Sequence, residues 1–467
     1  MAINMDSFSG YIRIEDSVFA FALSDQIVTL LPAYSEPDQR GKALDVFSSD
    51  AMKEPAFLYG HDESLHQIAL YKPSPVNQGK LGLSFSAKFS TPLVIRSAGN
   101  ASDFYSKLTE EWSKFHVITF YGGNINSIYD TQNAILHIRD VDGDRGVTHL
   151  EKRDPSEYTM TTKVTIGNVS ADLTISVFES PAPKASDNPR SYSFGELNSF
   201  IRLSFTSVQD FSTIERYYTT IRTLISILTK QDNVHFEVYL SQRDSEGMYY
   251  TSAYCKIYDG FEVYLDKNPY QVISIARIFD QIPNLIQAID NGNLNIFRDL
   301  LPKNRWDLHS ISITNVQDLC TALEVAYNWS EKHEEKDKYI ENLKKSIKKA
   351  IKEYVANNPG VNPNNETTLS SCFQYLSFTL KNKINTLYNE NKEIIDIIAA
   401  RNGTPDICLE TIKSFVDLRN GKTHSGIFTW NENAKLFYPL FTLVYACLLD
   451  YIGVDDETVK EIITRVF

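Results

Sequence analysis

The residues best equipped for chemistry are Arg419 and His424, in the stretch PDICLETIKSFVDLRNGKTH at 405–424. An imidazole moves protons near neutral pH. A guanidinium grips a phosphate bidentately and stabilises charge that builds on it. Together they suit RNA cleavage. His424 takes the proton of a ribose 2′-hydroxyl or gives one to the leaving 5′-oxygen, while Arg419 holds the phosphate. With the 2′-hydroxyl as nucleophile, no metal or other cofactor is required. Such a reaction spares DNA and ends in a 2′,3′-cyclic phosphate.

Pro405 and Asp406 fit the start of a helix expected over about 406–421. On its wheel Cys408, Leu409, Ile412, Phe415 and Val416 share one arc, and Glu410, Lys413, Ser414 and Asp417 the opposite one. Asp417 reads as solvated. Arg419 falls inside the apolar arc, where a permanent cation needs a structural carboxylate or an anionic ligand. Gly421 can let the helix end or bend before His424. In an unbroken helix, positions five apart point about 140° away from each other. The pair then converges on one phosphate only through a distortion or through two subunits. The spacing alone is weak, since a chain with nine His holds such a match about once by chance. An Arg neutralised by a carboxylate, beside a His capping helix carbonyls, fits it as well.

Other candidates flank this pair. Glu324 lies at the edge of an apolar face made by Val316, Leu319, Leu323 and Tyr327. It can orient Arg419 or His424 across a bundle, or simply face water. Lys344, Lys345, Lys348, Lys349 and Lys352 form a basic stripe. Such a stripe can track an RNA backbone, with Lys345, Lys348 and Lys349, and Lys422 outside the stripe, as contacts, though a solvated helix face is commoner. His61 and His66 bracket Asp62 and Glu63 and read as strand-edge or loop residues. Gly122-Gly123-Asn124 lacks the Lys and hydroxyl residue of a phosphate loop.

The elements that must position these groups change character near residue 300. Short β-branched and aromatic segments come first: 10–14, 17–22, 26–31, 66–72, 82–90, 115–121, 160–166 and 171–178. Turn signals at Pro37-Asp38, Gly122-Gly123-Asn124 and Asp142-Gly143-Asp144 separate them. An antiparallel sandwich or curled sheet is expected. Strand 199–206, an Asp210 cap, helix 211–229 and strand 234–240 interrupt it, followed by a strand at 248–258 and helical segments at 271–290 and 291–301. Beyond 304, helices are expected at about 314–332, 335–356, 366–389, 390–401, 406–421, 431–451 and 455–467, with a Pro- and Asn-rich loop at 357–365. The fold class is α+β multidomain: a mostly antiparallel β domain over 1–304 and an all-α bundle over 305–467.

A net charge of −13 argues against bulk coating of nucleic acid or of anionic membranes. Five scattered cysteines without C-x-x-C spacing exclude a zinc ribbon. Cys320, Cys372, Cys408 and Cys447 read as reduced core residues, which points to the cytoplasm. The first residues lack the basic and apolar regions of a signal peptide, and no apolar run is long enough to span a membrane.

Arg419-Asn420-Gly421-Lys422-Thr423-His424, set between an amphipathic and a long apolar helix, resembles the signature of the HEPN superfamily: an Arg, a polar neighbour that is often Asn, then a His. Residues 318–329 look like the first HEPN helix, 430–453 like its last, and 210–240 resembles the β-rich region of the ApeA group of bacterial anti-phage HEPN proteins. Gly421 departs from the family, which commonly has a bulkier residue there. The resemblance implies Arg419 on the phosphate, His424 in proton transfer and Asn420 in support. It implies a metal-independent endoribonuclease for cellular RNA such as tRNA, acting in abortive infection, with its active site at a HEPN homodimer or higher oligomer. The β domain is expected to be a sensor that restrains the nuclease until a trigger, such as one of phage origin, arrives. Two other readings stand: a non-catalytic HEPN dimerisation or partner-binding module beside a ligand-sensing β domain, and a β domain binding a carbohydrate or peptide with the helices as scaffold.

Overall fold

The computed structural model describes residues 7–14, 17–24, 27–31, 57–63, 66–71, 74–75, 85–88, 91–95, 114–142, 145–179, 196–243, 246–257, 271–303, 310–358, 379–425 and 432–467. The architecture is α+β and divides into two compact units. The first comprises Met1–Ser226 and Asn233–Pro269, the second Ile227–Asp232 and Tyr270–Phe467. The division at Tyr270 differs from the expected one at 304. The reason is packing: helix Ile296–Leu300 lies on helix Ile313–Tyr327, and the Phe297 ring meets Tyr445 edge-on at 5.3 Å.

The strands are β1 (Ser7–Ile14), β2 (Ser17–Ser24), β3 (Ile27–Leu31), β4 (Phe57–Asp62), β5 (Gln67–Tyr71), β6 (Ser74–Pro75), β7 (Phe85–Lys88) and β8 (Thr91–Ile95). They continue with β9 (Lys114–Tyr121), β10 (Ile135–Asp142), β11 (Arg145–Lys152), β12 (Met160–Ile166), β13 (Val169–Glu179), β14 (Leu197–Asp210), β15 (Glu237–Arg243) and β16 (Tyr249–Cys255). Among the described residues, fourteen of them join one sheet in the order β12-β13-β14-β9-β15-β16-β8-β5-β4-β1-β2-β3-β7-β6, and β10 pairs with β11 alone. Every pairing is antiparallel, as expected, and fourteen strands share one sheet, which accords with the curled-sheet alternative. Alternation places Leu173, Ile175, Leu203 and Ile201 inside, as the two-residue period of a strand requires. β10 and β11 pair with Asp142 opposite Arg145, while Gly143 and Asp144 of the turn signal lie outside the described residues. Pro37-Asp38 lies outside the described residues.

Helix α1 (Ile214–Thr229) follows a short 3-10 segment, Phe211–Thr213, capped as expected by Asp210, whose carboxylate accepts from the Ser212 amide at 2.9 Å. Its stripe of Ile214, Tyr217, Tyr218, Ile221, Leu224, Ile225 and Leu228 is buried. Tyr217 joins Phe115, Phe205 and Phe211 in an aromatic cluster within the first unit.

The second unit contains α2 (Ile282–Asp290), α3 (Ile296–Leu300), α4 (Ile313–Tyr327), α5 (Glu331–Asn357), α6 (Leu380–Glu390), α7 (Lys392–Arg401), α8 (Leu409–Ser425), α9 (Phe437–Tyr451) and α10 (Asp456–Val466). The expected 366–389 helix is seen from Leu380, and its earlier part lies outside the described residues, as does Cys372. The apolar α9 is a core helix, with Leu440, Leu443, Val444 and Tyr445 fully buried. Among the described residues no helix is long and apolar enough to cross a membrane. Cys255, Cys320 and Cys447 are buried free thiols, while Cys408 is half-buried.

Candidate active site at a helix seam

Helix α8 begins where the Thr411 hydroxyl accepts from the Cys408 amide at 3.0 Å. Ile412, Phe415, Val416 and Leu418 are buried, whereas Lys413 and Asp417 are exposed, so the wheel is essentially as read from the sequence. Leu409 is the exception: it stands at the first turn and is exposed. Arg419 is half-buried on the edge of the buried arc, facing a seam where α4, α6 and α8 pack on one another.

Three charged groups belong to this seam. Arg419 acts on the buried thiol of Cys320 in α4. Burial pushes that thiol up to about 12; the Arg419 charge opposes the rise, and Glu324, one turn further along α4, adds to it. Glu324 is not a free orienting group. It forms an ion pair with Lys383 of α6 at 3.5 Å. Lys383 is only 13% exposed and also lies 5.1 Å from the centre of the buried Tyr327 ring. Among the described residues, Arg419, Lys383 and Glu324 are the charged groups that these contacts place at the seam. Lys383 had no signal in the sequence beyond being one lysine of a helix.

Helix α8 runs through Gly421 to Ser425, beyond the expected end at 421. A glycine within a helix costs about 1 kcal/mol relative to alanine, which the flanking turns tolerate. Positions 419 and 424 are thus about 140° apart around one continuous helix. Asn420, Lys422 and His424 are placed in α8 by their backbone, and their side chains lie outside the described residues.

The lysine stripe on α5 faces solvent. Lys345, Lys348, Lys349 and Lys352 are exposed, Lys344 pairs with Glu341 at 2.8 Å, and Lys349 lies 3.9 Å from Glu353. In the first unit, Asp62 accepts from both the backbone amide and the ring of His66, at 2.8 and 2.7 Å, which closes the β4–β5 turn. At Gly122-Gly123-Asn124 the chain turns sharply. Gly123 has φ 53°, and a Cβ there would sit 2.0 Å from the His235 carbonyl oxygen, so only glycine fits.

Sequence reasoning missed His333, in the first turn of α5. Its ring is buried and stacks on Tyr327 at 4.1 Å; Nδ1 meets the Tyr327 carbonyl at 2.6 Å and Nε2 meets Glu390 at 3.0 Å. His333 and Glu390 are 57 positions apart, a distance at which no local spacing rule operates.

No protein-family model, no curated protein and no solved structure matches this chain.

Proposed function

We propose that the chain is a metal-independent endoribonuclease of a bacterial anti-phage, abortive-infection system, acting in the cytoplasm on cellular RNA such as tRNA. The observation that supports this function is a half-buried guanidinium, Arg419, on α8 at the α4–α6–α8 seam, in the helix that also carries Asn420 and His424. A half-buried guanidinium in such a setting suits a phosphodiester, which it can hold through two parallel hydrogen bonds. His424 supplies proton transfer to the 2′-hydroxyl or the 5′-oxygen, and Asn420 supports it. Because α8 is continuous, one copy does not aim positions 419 and 424 at the same phosphate, so the active site combines α8 from two copies. This fits the HEPN resemblance of RNGKTH. The β-rich unit then serves as the sensor that restrains cleavage until a trigger arrives.

The test compares wild type with Arg419→Ala and His424→Ala in cells under phage infection, reading survival and tRNA integrity. Wild type is expected to protect and to cut RNA, in extracts containing a metal chelator as well. Both variants, folded, are expected to do neither. Equal protection by a folded His424→Ala protein would remove the enzyme. One observation favours a second function: Arg419 acts on a buried thiol inside the bundle, as a purely structural cation does. The helical unit would then be a dimerisation or partner-binding module, and both variants would keep their protective effect.

A further inference from the structure

The first unit carries a row of aromatic rings on one face of its sheet. Phe178 of β13, Tyr121 of β9, Tyr239 of β15 and Tyr254 of β16 follow one another across five adjacent strands, with ring centres 6.1, 5.8 and 5.0 Å apart. Register places them on one side. Phe178 stands opposite Asn198, two positions from the Phe200 that faces Tyr121, and Tyr239, two positions from the Glu237 that faces Tyr121, stands opposite Tyr254. The other side of these strands holds the core: Ile201, Leu203 and Phe205 are buried there, and Phe205 meets Tyr217 of α1. The row therefore lies on the outer face. Phe178 is 49% exposed, and Tyr121, Tyr239 and Tyr254 are half-buried. A contiguous aromatic row on an outer face is the kind of surface that ligands cover, unlike apolar residues scattered singly.

The rings are held in place. Adjoining planes cross at 64°, 86° and 73°, the Tyr121 hydroxyl accepts from the Asn198 side-chain amide at 3.3 Å, and the Tyr239 hydroxyl donates to Glu237. A ligand thus meets a preformed surface and orders few side chains on binding. The surroundings indicate its chemistry. Charges of both signs share this face: Lys163 stands opposite Asp172, while Arg202 and Glu237 flank β9 from either side. Mixed charge does not gather a nucleic-acid backbone or an anionic lipid surface. The hydroxyls of Thr119, Thr174 and Ser241 lie half-buried between the charges and the rings. Aromatic rings among hydroxyls match a neutral ligand that is itself rich in hydroxyls and has apolar C–H faces, which describes a pyranose sugar. Its ring hydrogens, slightly positive, meet the negative face of an aromatic ring, and its hydroxyls reach the polar side chains. Because neighbouring rings cross steeply, they cannot all lie flat, so a chain of several sugars is needed to reach more than one stacking face.

We propose that this face of the sheet binds a neutral oligosaccharide of extended, β-linked pyranose units, running along Phe178, Tyr121, Tyr239 and Tyr254. The site is independent of the Arg419 seam.

Cellohexaose and chitohexaose are each titrated into the full-length protein by calorimetry, at low and at high NaCl. Saturable binding of at least one is expected, with an affinity that salt leaves unchanged, as suits a neutral ligand. Tyr239→Ala is expected to weaken it at least about tenfold. Phe178→Ala, which removes an exposed ring and spares the core, offers a second variant if the first does not fold, with a loss of about fivefold. Arg419→Ala is expected to bind as wild type, which separates this site from the seam. Absence of saturable binding to both sugars, binding lost at high NaCl, unchanged affinity in folded Phe178→Ala, or loss of binding in folded Arg419→Ala would each overturn the proposal.

Discussion

The two units enclose polar groups for different ends. In the sheet unit, buried polar side chains close turns and tie strands. The Asn126 side-chain oxygen accepts from the Ser199 amide at 2.7 Å, the Ser199 hydroxyl donates to the Tyr129 carbonyl at 2.6 Å, and Asn124 accepts from the His235 amide at 2.6 Å. These three are neutral groups bonded to backbone, and the buried carboxylate of Asp62, paired with His66, is a charged exception that also closes a turn. In the helical unit, the groups at the seams are charged: Arg419, Lys383 and Glu324 in one place, His333 and Glu390 in another. A sheet satisfies its backbone between strands, so its interior needs only local polar patches. Helices satisfy their own backbone and meet through side chains, which leaves room for ions at the seams. Ionic chemistry in this protein is therefore to be sought among the helices.

The contrast can be broken most forcefully at the aromatic core of the sheet unit. Phe115→Ala, at a fully buried ring touching Phe205, Phe211 and Tyr217, is expected to cost about 3–5 kcal/mol of stability. Denaturant unfolding measures it, and a loss below about 1 kcal/mol would show a core that collapses around the gap. Chemistry should follow the opposite pattern. Arg419→Ala is expected to lower RNA cleavage about 10²–10³-fold with little change in unfolding midpoint. Asn198→Ala, which removes a buried acceptor of the Asn126 side-chain amide at 3.0 Å in the sheet, should lower stability but leave cleavage per folded molecule unchanged.

Smaller effects sharpen the picture. His333→Ala removes the ring that contacts the Tyr327 carbonyl and Glu390, and is expected to cost about 1–3 kcal/mol. The alkaline limit should report the buried thiols. Cys320 is raised from 9.0 to about 12 in the folded chain, so the unfolded chain loses its proton first. Stability from this group is complete below pH 9.0 and declines as pH climbs towards about 12. Cys320→Ser should flatten that decline in pH-dependent unfolding, and iodoacetamide should reach half-buried Cys408 before Cys320 or Cys447. The smallest change is expected on α5. Lys345→Glu with Lys348→Glu, on an exposed face, should shift stability by less than about 0.5 kcal/mol. A loss of RNA affinity in that variant would move the lysine stripe from solvated surface to binding surface.

Much of this architecture was written in local pattern. The stripe from Ile214 to Leu228, the Asp210 cap, the alternation in β13 and the placement of Arg419 on the edge of an apolar arc all depend on neighbours within a few residues, and they were legible as such. What depends on distant partners was not. Spacing could not reveal that the strands form one sheet in a permuted order, that residues 271–303 belong with the helices, or that Glu324 answers Lys383. Nor could it reveal that α8 continues through Gly421, because glycine weakens a helix without forbidding it and the surrounding packing decides. Residue types and periods thus determined which elements form and which faces they bury. Only the tertiary structure decided which charges meet, because an ion pair between residues 57 or 59 positions apart depends on how the helices pack and leaves no trace in either local segment.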